Sequence, residues 1–153
     1  MVNLRRALAP LSGTEYAQVA AAMAESRRKL RFLLLGYVLM PDHWHALIWP
    51  GFPLTVSRVV QDIKWLSARR LNRGRQAAGP VWQHQFWDRF VRNARELRER
   101  LDYMHFNPVR RGLVQRPDDW PWSSYDNFGL GKEEITHCRI RIVYVRLPES
   151  YRG

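Results

Sequence analysis

The chain has 153 residues and a mass of 18.2 kDa, the size of one compact domain, and its 46% hydrophobic content suffices for one core. Its 25 Lys and Arg against 14 Asp and Glu leave a formal net charge of +11, which excludes an acidic surface and points to an anionic partner. No apolar run is long enough to span a bilayer, the opening MVNLRR lacks a signal-peptide core, and the single Cys138 allows no internal disulfide and no zinc knuckle, so a cytoplasmic protein is expected.

In chain order, residues 14–30 place Tyr16, Val19, Ala20 and Met23 at helical spacing, with Thr14 as the expected N-cap. Residues 32–39 (FLLLGYVL) form a continuous apolar run expected to be a covered strand, and residues 43–49 (HWHALIW) a second strand across the tight turn Met40, Pro41, Asp42. Residues 54–73 carry Val56, Val59, Val60, Ile63, Leu66 and Leu71 near helical spacing and predict an amphipathic helix, followed by an exposed basic loop to Pro80. Residues 81–91 (VWQHQFWDRFV) are aromatic and β-branched and predict a return to the sheet. A charged helix over 94–106 should end near Asn107, ahead of Pro108. A turn-rich stretch through Trp120, Pro121 and Trp122 follows, and residues 139–146 (RIRIVYVR) alternate like a strand. The expected architecture is α+β: a ferredoxin-like antiparallel sheet with helices packed on it and its first strand missing, residues 1–130 forming one catalytic domain and 131–153 a tail.

All the basic residues except Lys29, Lys64 and Lys132 are arginines, whose forked donors match phosphate oxygens. GC-rich coding DNA also favours arginine, so charge alone defines no site.

Alternation along a strand puts His43 and His45 on one face and Trp44 on the other, so the two imidazoles can share a metal at an open strand end. Asp42 stands beside them as a direct oxygen ligand or a partner to an imidazole. The same short pattern also occurs on half-exposed strands that bind nothing. On the later helix Leu97, Leu101 and Met104 form the apolar stripe, and Tyr103 with Asn107 flanks it, four residues apart. A phenol with a pKa of about 10 needs a polarised target to act as a nucleophile, and spacing alone leaves a packed boundary tyrosine equally open.

The segments PDHWHALIWP (41–50), VWQHQFWDRFVRN (81–93) and YMHFNPVRRGLVQRPDDWPWSSY (103–125) resemble, in that order, the REP-associated tyrosine transposases of the single-tyrosine, His-hydrophobic-His superfamily. The resemblance implies that His43 and His45 bind a divalent metal, Mg²⁺ or Mn²⁺, that Asn107 is the polar third residue of the metal site, and that Tyr103 is the nucleophile. It implies a nickase that leaves a 5′-phosphotyrosine and a free 3′-hydroxyl on hairpin-forming single-stranded repeats. Members of this family usually begin with a strand of the type YHVT or FFTV, and MVNLRRALAPLSG resembles neither. Single-stranded or hairpin DNA is then expected along Arg58, Arg69, Arg70, Arg73 and Arg75 with Arg110 and Arg111, and Trp82, Trp87 and Trp122 are candidates for base stacking. His84 and His105 have no ligand partner at a suitable spacing and are left out of the site. Two other readings stand beside the transposase: a DNA-binding remnant that has lost catalysis, and a metal-dependent nuclease in which water attacks.

Overall fold

The computed structural model describes residues 1–129 and Ile140. The proposed tail, and its alternating stretch 139–146, lie outside the described residues apart from Ile140, which is buried in the main core.

The first strand is present, which corrects the expectation of a missing one. Strand β1 is only Val2–Asn3, and it pairs antiparallel with β3 (His43–Trp49), Val2 opposite Trp44 and Asn3 opposite His43. Strand β2 (Leu33–Leu39) pairs on the other side of β3, giving the sheet order β1-β3-β2. Two residues are too few to show the alternation by which a strand is recognised, so the sequence hid it. Val2, Leu4 and Leu11 are nonetheless core residues, and the backbone N–H groups of Leu4 and Leu11 donate to the carbonyls of Asp42 and Pro41 at 2.7 Å each. The N-terminal segment therefore clasps the turn that leads into His43.

Residues 81–91 do not form the expected strand. Only one bridge forms, between Leu4 and Trp82, with further backbone bonds from Arg5 to Val81, Gln83 to Asn3 and Trp87 to Met1. An added edge strand can run only as far as its neighbour offers backbone groups, and β1 offers few. Beyond Gln83 no further bridge forms among the described residues, the backbone meets Met1 once more at Trp87, and Trp87 and Phe90 stand exposed.

Helices α1 (Thr14–Leu30) and α2 (Val56–Arg75) cover one face of the sheet. Gly13, not Thr14, occupies the cap position of α1, and the carboxylate of Glu15 accepts the N–H of Ser12 instead. On α2, Thr55 accepts the N–H of Arg58, which satisfies one of the free donors of the first turn. The apolar faces of both helices meet Leu34, Tyr37, Leu39 and Trp44 in the main core.

Helix α3 (Ala94–His105) packs on the opposite face, where Leu101 and Met104 meet Val38 and Met40. Its start is fixed by Asn93, whose side chain accepts the N–H of Glu96, while the Glu96 carboxylate accepts the N–H of Arg92. The chain does not stop at Pro108. After Phe106 a further turn, α4 (Asn107–Arg110), takes Pro108 into its first turn, where the missing N–H costs no helical bond.

The closing segment covers the free edge of β2. Leu39 donates to the Trp122 carbonyl and Ser124 to that of Tyr37, Trp120 donates its indole N–H to the Leu39 carbonyl at 2.9 Å, and a short helix α5 (Tyr125–Gly129) follows.

Gly36 lets α3 approach this sheet. A Cβ there would lie 2.6 Å from the Leu101 side chain, 3.1 Å from Met104 and 3.3 Å from Ser124. Gly36→Val should cost about 1–3 kcal/mol through overpacking, read as a lower denaturant midpoint with an unchanged slope. An unchanged midpoint would mean that α3 does not sit this closely.

Candidate active site

The division of the sheet into two faces sets the site. Trp44 points into the core beneath α1 and α2, so His43 and His45 point to the face that carries α3 and α4. There the amide nitrogen of Asn107 lies 3.3 Å from Nε2 of His43 and 3.2 Å from Nε2 of His45. The two imidazoles meet edge to face with centroids 4.9 Å apart. Strand alternation supplies the pair, and the turn of α4 supplies the amide.

Asp42 does not join this convergence as a direct ligand. Its carboxylate accepts a hydrogen bond from Nδ1 of His43 at 2.6 Å, on the far side of the ring from Nε2. That bond fixes the proton on Nδ1 and leaves the Nε2 lone pair facing Asn107. Arg111 donates to the other carboxylate oxygen of Asp42 at 3.0 Å. Burial raises the Asp42 pKa, but the bonds from His43 and Arg111 outweigh it and hold the carboxyl below its usual range.

Burial also lowers the pKa of His43 against the pull of Asp42, and burial together with the neighbouring imidazole pushes His45 down to about 3. Both rings are therefore neutral at pH 7, the state in which imidazole nitrogen can hold a metal. Among the described residues no group of three or more His, Cys, Asp or Glu is placed to hold a metal ion. The donor set is two imidazole nitrogens and an amide, and rotating the Asn107 amide by half a turn brings its oxygen to the same place.

Tyr103 stands beside this group. Its ring lies edge-on to His45 with centroids 6.1 Å apart, it is 48% exposed, and the Arg110 guanidinium sits 5.0 Å from its centroid. A tyrosine of the apolar stripe would be buried like Leu101 and Met104; this one opens to solvent next to a cation.

The expected DNA-contacting arginines separate into two groups. Arg110 and Arg111 flank the site, on the same face. Arg58, Arg69, Arg70, Arg73 and Arg75 belong to α2, in the layer on the other face, and are not brought to the histidines. Two of them have structural work within that layer: Arg75 is engaged by Glu15 and the Ala9 carbonyl, and Arg70 by Glu25. With Lys29 on buried Asp62, these pairs tie α1 to α2. Interhelical pairing of this kind leaves no mark in the sequence of one helix.

Of the stacking candidates, Trp82 is buried and donates its indole N–H to Ser67 at 2.8 Å, and Trp122 stacks on Tyr16 at 5.3 Å; only Trp87 remains exposed. His105, left out of the site, is buried against Tyr125 and Phe128 and bonds the Ser124 hydroxyl at 2.8 Å, and burial pushes it down to about 4. Sequence reasoning missed Arg111 as the partner of Asp42, and missed Trp65, an exposed indole on the polar side of α2. An aromatic residue among the basic positions of an amphipathic helix was the available signal for Trp65.

An antiparallel α+β sheet that sets a His-x-His pair against a helix-borne tyrosine is the arrangement that the three sequence motifs led us to expect of a transposase. The family described as Transposase IS200 like matches residues 2–93, more than half of the sequence, and the chain belongs to that family. A REP-associated tyrosine transposase of Escherichia coli (strain K12) is 29% identical over 126 residues, 81% of this chain and 73% of that protein. A solved structure of a REP-associated tyrosine transposase bound to a REP hairpin superposes with a TM-score of 0.72 at 26% identity, covering 94% of this chain and 89% of that one. The resemblance read from the three motifs is thus borne out. The family match includes His43 and His45 and ends one residue before α3, so Tyr103 and Asn107 stand beyond it.

Burial of neutral His45 and His105 has a consequence for stability. Their folded pKa values lie below the ordinary histidine value, so the unfolded chain takes up protons first as the pH falls. Metal-free protein should lose stability progressively as the pH drops from about 7 to about 5, a window above most carboxylate titration. Denaturant midpoints across that window test this; midpoints that hold steady or rise would contradict it.

Proposed function

We propose that this chain nicks and rejoins single-stranded DNA at hairpin-forming repeats, with Tyr103 as nucleophile and a divalent metal, Mg²⁺ or Mn²⁺, held by His43, His45 and Asn107. The observation that carries the reading is the convergence of two neutral imidazole nitrogens and a buried amide beside an exposed phenol. The structural relative's own partner, a REP hairpin, supports the same class of DNA for this chain.

The donor set fits such a metal, since two nitrogens and an amide oxygen on one side leave coordination positions free for phosphate oxygens and water. When bound, the metal would neutralise charge on the scissile phosphate. The chain's own groups do the rest. In this reading Arg110, beside the Tyr103 ring, and Arg111, beside Asp42, would meet phosphate oxygens as the DNA enters. The Tyr103 Oη attacks phosphorus while the bond from phosphorus to the 3′-oxygen breaks. The phenolic proton passes to water at the exposed edge of the ring, and the departing 3′-oxygen takes up a proton, leaving a 5′-phosphotyrosine and a 3′-hydroxyl. Rejoining is the reverse attack by a 3′-hydroxyl, so the phosphodiester energy is conserved in the adduct.

The alternative of a catalytically inactive remnant drew on the absence of a first strand. With β1 paired to His43 and the N-terminal segment bonded to Asp42, that ground is gone.

The test is to incubate the protein with labelled hairpin DNA carrying single-stranded flanks and Mn²⁺ or Mg²⁺, then denature it. A denaturation-resistant adduct is expected, reduced to background by Tyr103→Phe. Cleavage that persists in Tyr103→Phe would mean that water is the nucleophile. Asp42→Ala, which removes the brace on His43, should lower adduct formation about 10–100-fold and be partly rescued by excess metal. Wild-type rates in that variant would show that the His43 orientation does not depend on Asp42.

A further inference from the structure

On the face away from the histidines, a cleft of about 720 Å³ opens between α2 and the segment 81–84. Arg5, Arg6 and Lys64 line it together with Trp65 and His84, and no carboxylate is among its lining residues. The Lys64 ammonium donates to the carbonyls of Gln83 and His84 at 2.7 and 2.9 Å, so it both holds the far wall and places a positive charge inside the cleft. Trp65 is 53% exposed, and the Arg69 guanidinium lies 4.6 Å from its ring centroid. An indole left half open on the polar side of an amphipathic helix forgoes burial that the apolar side would give it. Here Arg69 lies against it, and three further cations line the same cleft.

We infer that this cleft is a second DNA site, which takes unpaired nucleotides outside the cleaved bond, one base stacking on Trp65 and the adjoining phosphates meeting Arg5 and Arg6. Cations along a groove with an exposed aromatic platform are the two components of sequence-tolerant single-strand binding. The inference rests on the reading that single-stranded DNA is the partner. The cleft lies in the α1 and α2 layer, whereas Tyr103 lies on the other face, so a strand held at both places would pass round the β1 edge of the sheet. Residues 85–93 run from the cleft wall to the start of α3 along that route and carry the exposed Trp87 and Phe90.

The experiment measures binding of a fluorescein-labelled, hairpin-free oligodeoxynucleotide of about eight nucleotides by anisotropy, for the full chain and two variants. Trp65→Ala should weaken binding about 5- to 150-fold. Arg5→Ala with Arg6→Ala should reduce the slope of log affinity against log salt by about 1.4, the loss of two phosphate contacts on a single strand. All three positions are exposed, and circular dichroism melting checks that the variants stay folded. Wild-type affinity and salt slope in both variants, or no binding of the oligonucleotide by the wild type, would overturn the inference. The adduct assay on hairpin DNA is read separately: an adduct with no effect of Trp65→Ala on binding defeats the cleft alone, and Trp65-dependent binding without an adduct defeats the nucleophile alone.

Discussion

The seating of α3 on the sheet is the constraint on which the site depends. Neither the His pair nor the tyrosine has chemistry to offer by itself; what matters is that a helix from the second half of the chain rests on the two strands from the first. Leu101 and Met104 provide the apolar contact, and Gly36 removes the side chain that would hold the helix away. The Ser124 hydroxyl then joins three parts, accepting the Tyr37 N–H of β2 at 2.9 Å and meeting His105 at the last turn of α3 at 2.8 Å. A buried polar group fully satisfied in this way fixes one arrangement among the several that apolar packing would tolerate. Two residues before His105 is Tyr103, and two after it is Asn107, so the node that locks the helix also sets both groups against the histidines.

The opposite ends of the sheet are braced by different means. At the β2 edge, residues 122–124 cap the strand through backbone bonds. At the other edge the two-residue β1 and the single bridge at Trp82 do what a full strand and its neighbour would do elsewhere, helped by the bonds from Leu4 and Leu11 to the turn before His43. The hairpin that carries His43 and His45 is therefore held from both sides. The sheet also separates two basic regions. Arg110 and Arg111 lie with the tyrosine, and the cations of α2 lie behind it. A high net charge thus serves two surfaces and, through Arg70 and Arg75, the joining of α1 to α2.

Much of this was open to sequence reasoning, for physical reasons that differ from residue to residue. Strand β3 was read to the residue because HWHALIW has a clear boundary at Pro41-Asp42, and alternation alone predicts that His43 and His45 share a face. The flank position of Tyr103 followed from the Leu97, Leu101, Met104 stripe. By contrast, β1 is shorter than the period that reveals a strand, and residues 81–91 have strand composition but lack a neighbour long enough to pair with. The sequence could not tell that the arginines of α2 lie apart from the histidines, because that separation is set by which face of the sheet the helix covers, a tertiary fact. The same holds for the pairing of Arg70 and Arg75 with glutamates of α1.

The central claim is that Tyr103, set beside the His43, His45 and Asn107 group, becomes covalently linked to DNA. Mass spectrometry of the proteolysed, nuclease-trimmed adduct locates the modified residue directly. The account predicts a nucleotide joined through its 5′-phosphate to the peptide containing Tyr103. Linkage at another residue, such as Tyr125, or through a 3′-phosphate would contradict it.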